Sequence, residues 1–499
     1  MRLRVGSRKS DLARWQAVQV ARALETLPEK LAIEFIFKAS LGDQDLDTPL
    51  ANMGAKGVFT EDFLQDLVEG RTDLVVHSWK DLPVEARTDT EIAMTLARAD
   101  LRDILLVPEA VWTAATKSGK LPILTSSPRR VYNLGACLAS LLPGQVRPEF
   151  INVRGNVPTR LRKMREQGAA LVLAKAGLDR LLQAEAEGFL GSEVSVRALI
   201  SETRFMVLPL SLNPPAAAQG ALAVEILRTN EALKGFCTKL SDEGAFRAVE
   251  EERGILQSYG GGCHQKIGVA IQLREYGKVI SLKGITDQGQ TLQEWKIEDN
   301  VPWTKASHPS SVFPQEPRDN SWFERKSLSD YGNLAKKAGL IVARSEALPK
   351  DYTPSERQII WSAGVQTWQR LAARGIWVHG SFDGLGESED PGLDALFGPL
   401  RWSKISHLRG YTRPETELIA TYQLVPKKNH PDLTGKTHFY WMSSTSFERA
   451  RQLFPEQVNN GYNASGPGNT FEHLRRAMDL KHPPKVFIGL EQFLKETLP

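Results

Sequence analysis

Residues 71–86 read RTDLVVHSWKDLPVEA, and within them Leu74 to Val76 form a short apolar run that passes directly into His77, Ser78, Trp79, Lys80 and Asp81. An apolar run of that length bounded by polar residues predicts a short buried strand. Polar groups just past strand ends are where open α/β sheets bind ligands. The arrangement recurs where Phe150 to Val153 ends at Arg154-Gly155-Asn156, and again where Leu171 to Ala174 ends near Gly177. Two α/β lobes facing each other across a cleft account for the pattern.

Upstream, Leu3 to Val5 reads as a strand, and Ser10 as the N-cap of a helix whose Ala13, Ala17, Val20, Ala21 and Leu24 share one face. Ile33, Phe35 and Phe37 alternate as in a strand. From about residue 240 a helix-like stretch around Phe246, Val249 and Ile255 leads into Gly260-Gly261-Gly262-Cys263, and Ile267, Val269, Ile271 and Leu273 then alternate. With strand-like segments near Ile280 to Leu282 and Gln293 to Ile297, this predicts a small α+β unit. Residues 304–337 are rich in Pro, Ser, Asn and charge without a period and read as a linker, so a separate domain is expected after them.

A chain of 499 residues has room for about three or four domains. Hydrophobic residues at 41% and charged residues at 24% fit a globular protein and not a membrane one. The basic N-terminus lacks the apolar core of an export signal, so the cytoplasm is the expected compartment. Cys137, Cys237 and Cys263 are odd in number and widely spaced, which argues against a disulfide framework and a structural zinc site, and no metal is expected. A net charge of +4 over this length does not point to nucleic acid.

Arg8, Lys9, Lys56, Lys80, Arg129, Arg130, Arg154, Arg160 and Arg162 stand in loop-like contexts, several beside glycines or candidate helix starts. Taken singly, each is ordinary solvated surface. Together, backbone amides at helix starts and guanidinium forks suit carboxylates or phosphates, so a polyanionic small molecule is the expected ligand. Asp81 reads either as an N-cap or salt-bridge partner, or as a carboxylate that stabilises a transient cation in a positive cleft. Cys263 reads either as an inert buried hydrophobe or, with glycines freeing the backbone before it, as an accessible attachment point.

The segments VGSRKSDLARWQA, LGDQDLDTPLANMGAKGVFTEDFLQDL, GRTDLVVHSWKDLPVE, TSSPRR, INVRGNVPTRLRKM, LAKAGLDRL, AAQGALAVEI and GGGCHQKIG, in this order, resemble the successive motifs of hydroxymethylbilane synthases (porphobilinogen deaminases). The resemblance covers residues 1 to about 303. It implies an α/β chain with three domains: two lobes like those of periplasmic binding proteins (1–100 with 216–238, and 101–215) and a small α+β cofactor domain (239–303). It implies a dipyrromethane cofactor bound covalently through Cys263, porphobilinogen as substrate, catalysis by Asp81, and a monomer. By the same resemblance Arg8, Ser10, Lys56, Lys80, Thr125, Ser126, Ser127, Arg129, Arg130, Arg154, Gly155, Arg160 and Gln219 would bind the carboxylates of cofactor and substrate, with Asp43 and Phe59 elsewhere in the cleft. Asn52 stands where the family usually has lysine, Asp11 where it has proline and Leu124 where it has glycine.

Beyond the linker, WSAGVQTWQRLAARGIWVHGSFDGLGE, ATYQLVPK, FYWMSSTSFERARQLFP and NASGPGNTFEHLRRAMDL resemble parts of uroporphyrinogen-III synthase. An extra α/β domain over 338–499 is therefore expected. The polar linker implies few contacts across the boundary, so the domain is expected to be dispensable for tetrapyrrole assembly, and its length falls short of that enzyme's two lobes, so it is not expected to close the ring. A bifunctional enzyme is the alternative. The reading outside enzymes is a two-lobed solute receptor for anions, in which Cys263 would have no role.

Overall fold

The computed structural model describes residues 1–39, 61–191, 195–261, 265–328, 334–478 and 482–499. The chain is α/β and forms two compact units. The first comprises Met1–Ala139, Gln145–Ile271 and Ser281–Glu294, and the second Ser140–Gly144, Gln272–Ile280 and Trp295–Pro499. Among the described residues no helix is long and apolar enough to cross a membrane.

In the first unit, β1 (Arg2–Arg8), β2 (Ala32–Lys38), β3 (Leu74–Ser78) and β4 (Thr90–Met94) are followed by β5 (Asp103–Pro108), β6 (Lys120–Leu124), β7 (Arg147–Ile151), β8 (Ala170–Ala174) and β9 (Thr203–Val207), before β10 (Leu222–Leu227) returns to the first group. One sheet has the order β2-β1-β3-β10-β4 and the other β7-β6-β8-β5-β9. The strand expected at Leu74 to Val76 is β3, and its three apolar residues are buried. β1 pairs with β2 and β3 in parallel, while β10 runs antiparallel to β3 with Ala223 opposite His77. Leu3, Val5, Ala17, Val20, Leu24, Leu74, Val76, Val224 and Ile226 share one core, which explains why the apolar face predicted for the helix Asp11–Glu25 is needed.

The chain then forms β11 (Gly268–Arg274), β12 (Gly277–Ile285) and β13 (Thr291–Glu298), a three-stranded sheet in that order. These are the strands expected after the glycine-rich loop.

The stretch expected to be a linker is built into the second unit. It carries β14 (Val312–Phe313) and β15 (Phe323–Ser327), and Trp322 is 0% exposed. The remaining strands are β16 (Gly339–Val342), β17 (Ile359–Ser362), β18 (Gly380–Ser381), β19 (Trp402–His407), β20 (Glu417–Pro426), β21 (His438–Trp441), β22 (Tyr462–Ser465) and β23 (Lys485–Val486). They complete a six-stranded sheet, β15-β20-β19-β16-β17-β18, and a four-stranded one, β14-β21-β22-β23. Phe313 and Trp322 pack with Phe439, Trp441 and Phe447. A two-residue strand has no periodicity to read, and two apolar pairs were hidden by the Pro and Ser around them.

The expected shortage of chain for two sheets is corrected by the same finding, because the unit recruits β14 and β15 from residues before 338. Nor does the chain come loose at Trp303. That indole packs against Phe487 and Phe493 and donates to Thr497 Oγ1 at 3.0 Å. Ile297 exchanges both backbone groups with the Gln492 amide, at 3.1 and 2.7 Å. A cut near Trp303 would strip these partners, so dispensability of the region no longer follows from few contacts crossing its boundary.

Candidate active site

β3 delivers His77 and Ser78 into a 3-10 turn, Trp79–Asp81, for which Ser78 is the N-cap. Asp81 closes the turn, which removes its reading as an N-cap. Buried Trp79 anchors the turn: its ring meets Phe246 edge-on at 5.0 Å, and its backbone N–H donates to the Ala221 carbonyl at 3.1 Å. The side chain of Asp81 is exposed, and among the described residues it has no hydrogen bond or ion pair.

Lys80 donates to Gln219 Oε1 at 3.3 Å. Burial, opposed by the Asp81 charge beside it, pushes the Lys80 ammonium down to about 8. If that cation receives substrate carboxylate, kcat/KM falls as pH rises through about 8, because the free enzyme's ionisations set that profile. Lys80→Arg should shift the falling limb to higher pH in initial-rate measurements, since guanidinium stays charged. An identical limb in both proteins would take Lys80 out of the binding step.

The helix Val157–Glu166 positions the next group. Asn156 caps it by accepting from the Thr159 N–H at 2.9 Å, and Gly155, at φ +118°, makes the turn before it. A Cβ on Gly155 would lie 2.7 Å from Thr159 Cγ2, so the close approach also requires glycine. Arg160 Nε donates back to the Gly155 carbonyl at 2.7 Å. Burial, together with the positive Arg130 and Arg154 nearby, pushes Arg160 down to about 10 against the pull of Asp81. Lys80, Asp81, Arg130, Arg154 and Arg160 therefore share one electrostatic neighbourhood.

Thr125, Ser126 and Ser127 follow β6 and lead into the helix Pro128–Leu141. Thr125 Oγ1 accepts from the Ser127 N–H at 3.3 Å, and Ser127 Oγ from the Arg130 N–H at 3.4 Å. Arg8 stands at the end of β1, and Ser10 caps the helix Asp11–Glu25 by position without a side-chain hydrogen bond, which leaves its hydroxyl unused by the cap. Asp43, Lys56, Phe59 and Cys263 lie outside the described residues.

Arg129 and Arg130 are held differently from a pair of open ligand-binding forks. Both grip Asp103, which is 0% exposed: Arg130 Nε and Nη2 donate to it at 3.0 and 2.7 Å, and Arg129 Nη2 at 2.9 Å. The Asn213 and Gln219 side-chain amides add one bond each, both at 2.9 Å. Burial would raise Asp103, and the Arg130 and Arg129 charges outweigh it and hold the carboxyl far below the usual range. Arg129 is further tied to the Pro214 carbonyl at 2.7 Å, and Arg130 to the Val172 carbonyl at 3.1 Å. Part of Gln219 and most of Arg129 thus serve the fold.

Sequence reading missed Asp103, although an acidic residue opening the apolar run Ile104 to Val107 was its signal. It also missed Glu225, buried inside β10, which accepts from Thr90 Oγ1 at 2.6 Å and Arg87 Nη1 at 3.1 Å and meets His77 Nε2 at 3.0 Å.

Residues 3–235 match the family model described as porphobilinogen deaminase, dipyromethane cofactor binding domain. The porphobilinogen deaminase of Syntrophomonas wolfei is 35% identical over 57% of this chain and 84% of its own length. The chain belongs to the porphobilinogen deaminase family. A second porphobilinogen deaminase, from Moorella thermoacetica, is 35% identical over 56% of this chain and 84% of its own. The porphobilinogen deaminase from Clostridium beijerinckii is 35% identical over 58% and 89%.

Proposed function

We propose that this chain condenses four porphobilinogen molecules, with loss of ammonia at each step, into a linear tetrapyrrole that is released by hydrolysis. The observation that carries the reading is the exposed Asp81 carboxylate, unspent on the fold, among Lys80, Arg130, Arg154 and Arg160. A preorganised anion beside the pyrrole nitrogen lowers the barrier where positive charge develops. Each pyrrole ring brings an acetate and a propionate, whose mutual repulsion in a low-dielectric cleft calls for matching cations.

Lys80, Arg154 and Arg160, with the Arg130 charge behind them, fit the carboxylates of a dipyrromethane, which when bound supplies the primer that the chain is built on. Cys263 is its proposed thioether partner. Elimination supports that choice: Cys137 and Cys237 are buried, and burial pushes their thiols up to about 11 and about 12. Thiols held neutral and out of solvent are poor nucleophiles. Porphobilinogen is the proposed substrate, a monomer the proposed form and the cytoplasm the proposed compartment.

The test combines mass and turnover. Purified wild-type protein should be heavier than its sequence by two linked pyrroles and convert porphobilinogen to a linear tetrapyrrole, and Cys263→Ser should lack the added mass. Fully active protein of unmodified mass would overturn the reading.

A second reading is favoured by the two sheets of the second unit: residues 338–499 resemble parts of uroporphyrinogen-III synthase, and with β14 and β15 before them the unit has two sheets to build on. The same incubation tests it, once the product is oxidised and separated. Uncatalysed closure gives uroporphyrinogen I, read as uroporphyrin I after the oxidation, so mostly type III product would make the protein bifunctional, and mainly type I would leave assembly as its activity.

A further inference from the structure

Beside Thr125, Ser126 and Ser127 the first unit has a cavity of about 410 Å³, lined also by Tyr132, Phe150, Ile151 and Lys266. Its walls come from the chain just past β6 and at the end of β7, adjacent parallel strands, which is the ligand-binding end of an α/β sheet. The volume lies within the ~300–1,000 Å³ usual for small-molecule sites.

The lining mixes apolar and polar groups. Tyr132 and Phe150 form an apolar wall with Val131 and Ile151, which remain 40% and 43% exposed although both are large hydrophobics. The lining also carries three hydroxyls, Asn152 and Lys266, and among the described residues no carboxylate. An apolar wall with hydroxyls and a lone cation suits a flat ring that bears acidic side chains. Among the described residues Lys266 has no hydrogen-bond or ion-pair partner. Arg129 and Arg130, by contrast, share the charge of Asp103. The cations of the main cluster are therefore fewer in effect than the sequence suggests, while every added ring brings two more carboxylates.

We propose that this cavity holds a pyrrole ring added during elongation, with its face on Tyr132, Phe150 and Ile151 and an acetate or propionate on Lys266 Nζ. The inference rests on tetrapyrrole assembly as the protein's activity. It adds Lys266 and the apolar wall as a place for the lengthening chain.

The test uses the full-length holoenzyme fed with limiting porphobilinogen and analysed by native mass spectrometry. Lys266→Glu puts a like charge against the ring's carboxylate, and Ile151→Trp fills the cavity without altering charge. Both should keep the primer and the first addition but slow a later addition about five- to tenfold, the size expected of one partly solvated charge-assisted contact. A partly extended enzyme species would then accumulate. Lys266→Arg should restore the wild-type distribution. If both Lys266→Glu and Ile151→Trp show wild-type intermediates, or if they lose only the primer, the cavity does not hold an added ring. Wild-type protein that makes no tetrapyrrole would instead bring down the underlying reading.

Discussion

Asp81→Asn should reduce kcat for tetrapyrrole formation by about 10²–10³ while leaving the fold and KM nearly unchanged. The magnitude is that of removing one preorganised electrostatic stabiliser. Selectivity for kcat follows from where the carboxylate stands. Its exposed side chain has no hydrogen bond or ion pair among the described residues, so amidation removes charge without stripping the fold of a partner. The turn that carries it is fixed by Trp79, through Phe246 and the Ala221 carbonyl, and not by Asp81. Steady-state rates with urea midpoints on both proteins provide the check. A rate within about threefold of wild type would mean that another group stabilises the developing cation. An equal loss in urea midpoint would assign Asp81 to structure instead.

The main lines of the first unit were legible because they are written in short-range patterns. Leu74 to Val76 could be read as β3 from three consecutive apolar residues, and the helix face Ala13, Ala17, Val20, Ala21, Leu24 from its period. The roles of Arg129 and Arg130 were not legible to the same degree. Their partner Asp103 is 26 and 27 residues away, and no local pattern reports a carboxylate that reaches back from another strand. The stretch that opens the second unit was misread for a related reason. β14 pairs with β21 across more than a hundred residues, Val312 opposite His438, so a strand of two residues exists only by virtue of a distant neighbour. Composition named that stretch a linker, whereas the burial of Trp322 makes it part of the core.

The other large effect expected is on stability, at Asp103. Replacing this fully buried carboxylate by asparagine keeps its shape but leaves two buried guanidinium groups without their anion. Removing one partner from a buried ion pair costs about 3–5 kcal/mol, since the remaining charge stays desolvated and uncompensated. Asp103→Asn should therefore lower the urea midpoint of the first unit's transition by that equivalent. The pH dependence supplies an independent check. The carboxyl is held below its unfolded value of about 3.9, so its contribution is fully present above about pH 4 and is lost as pH falls toward the folded value. Wild type should lose stability below about pH 4 more steeply than Asp103→Asn does. Adding Arg129→Leu should return part of the loss, because one of the two stranded cations is then gone, and a double-mutant cycle measures that coupling. Arg130 should remain necessary for activity in the double variant, as its charge bears on both Lys80 and Arg160 whereas that of Arg129 bears on Lys80 but not on Arg160. If Asp103→Asn is as stable as wild type, the two arginines find other partners, and the cluster is an open set of substrate cations after all.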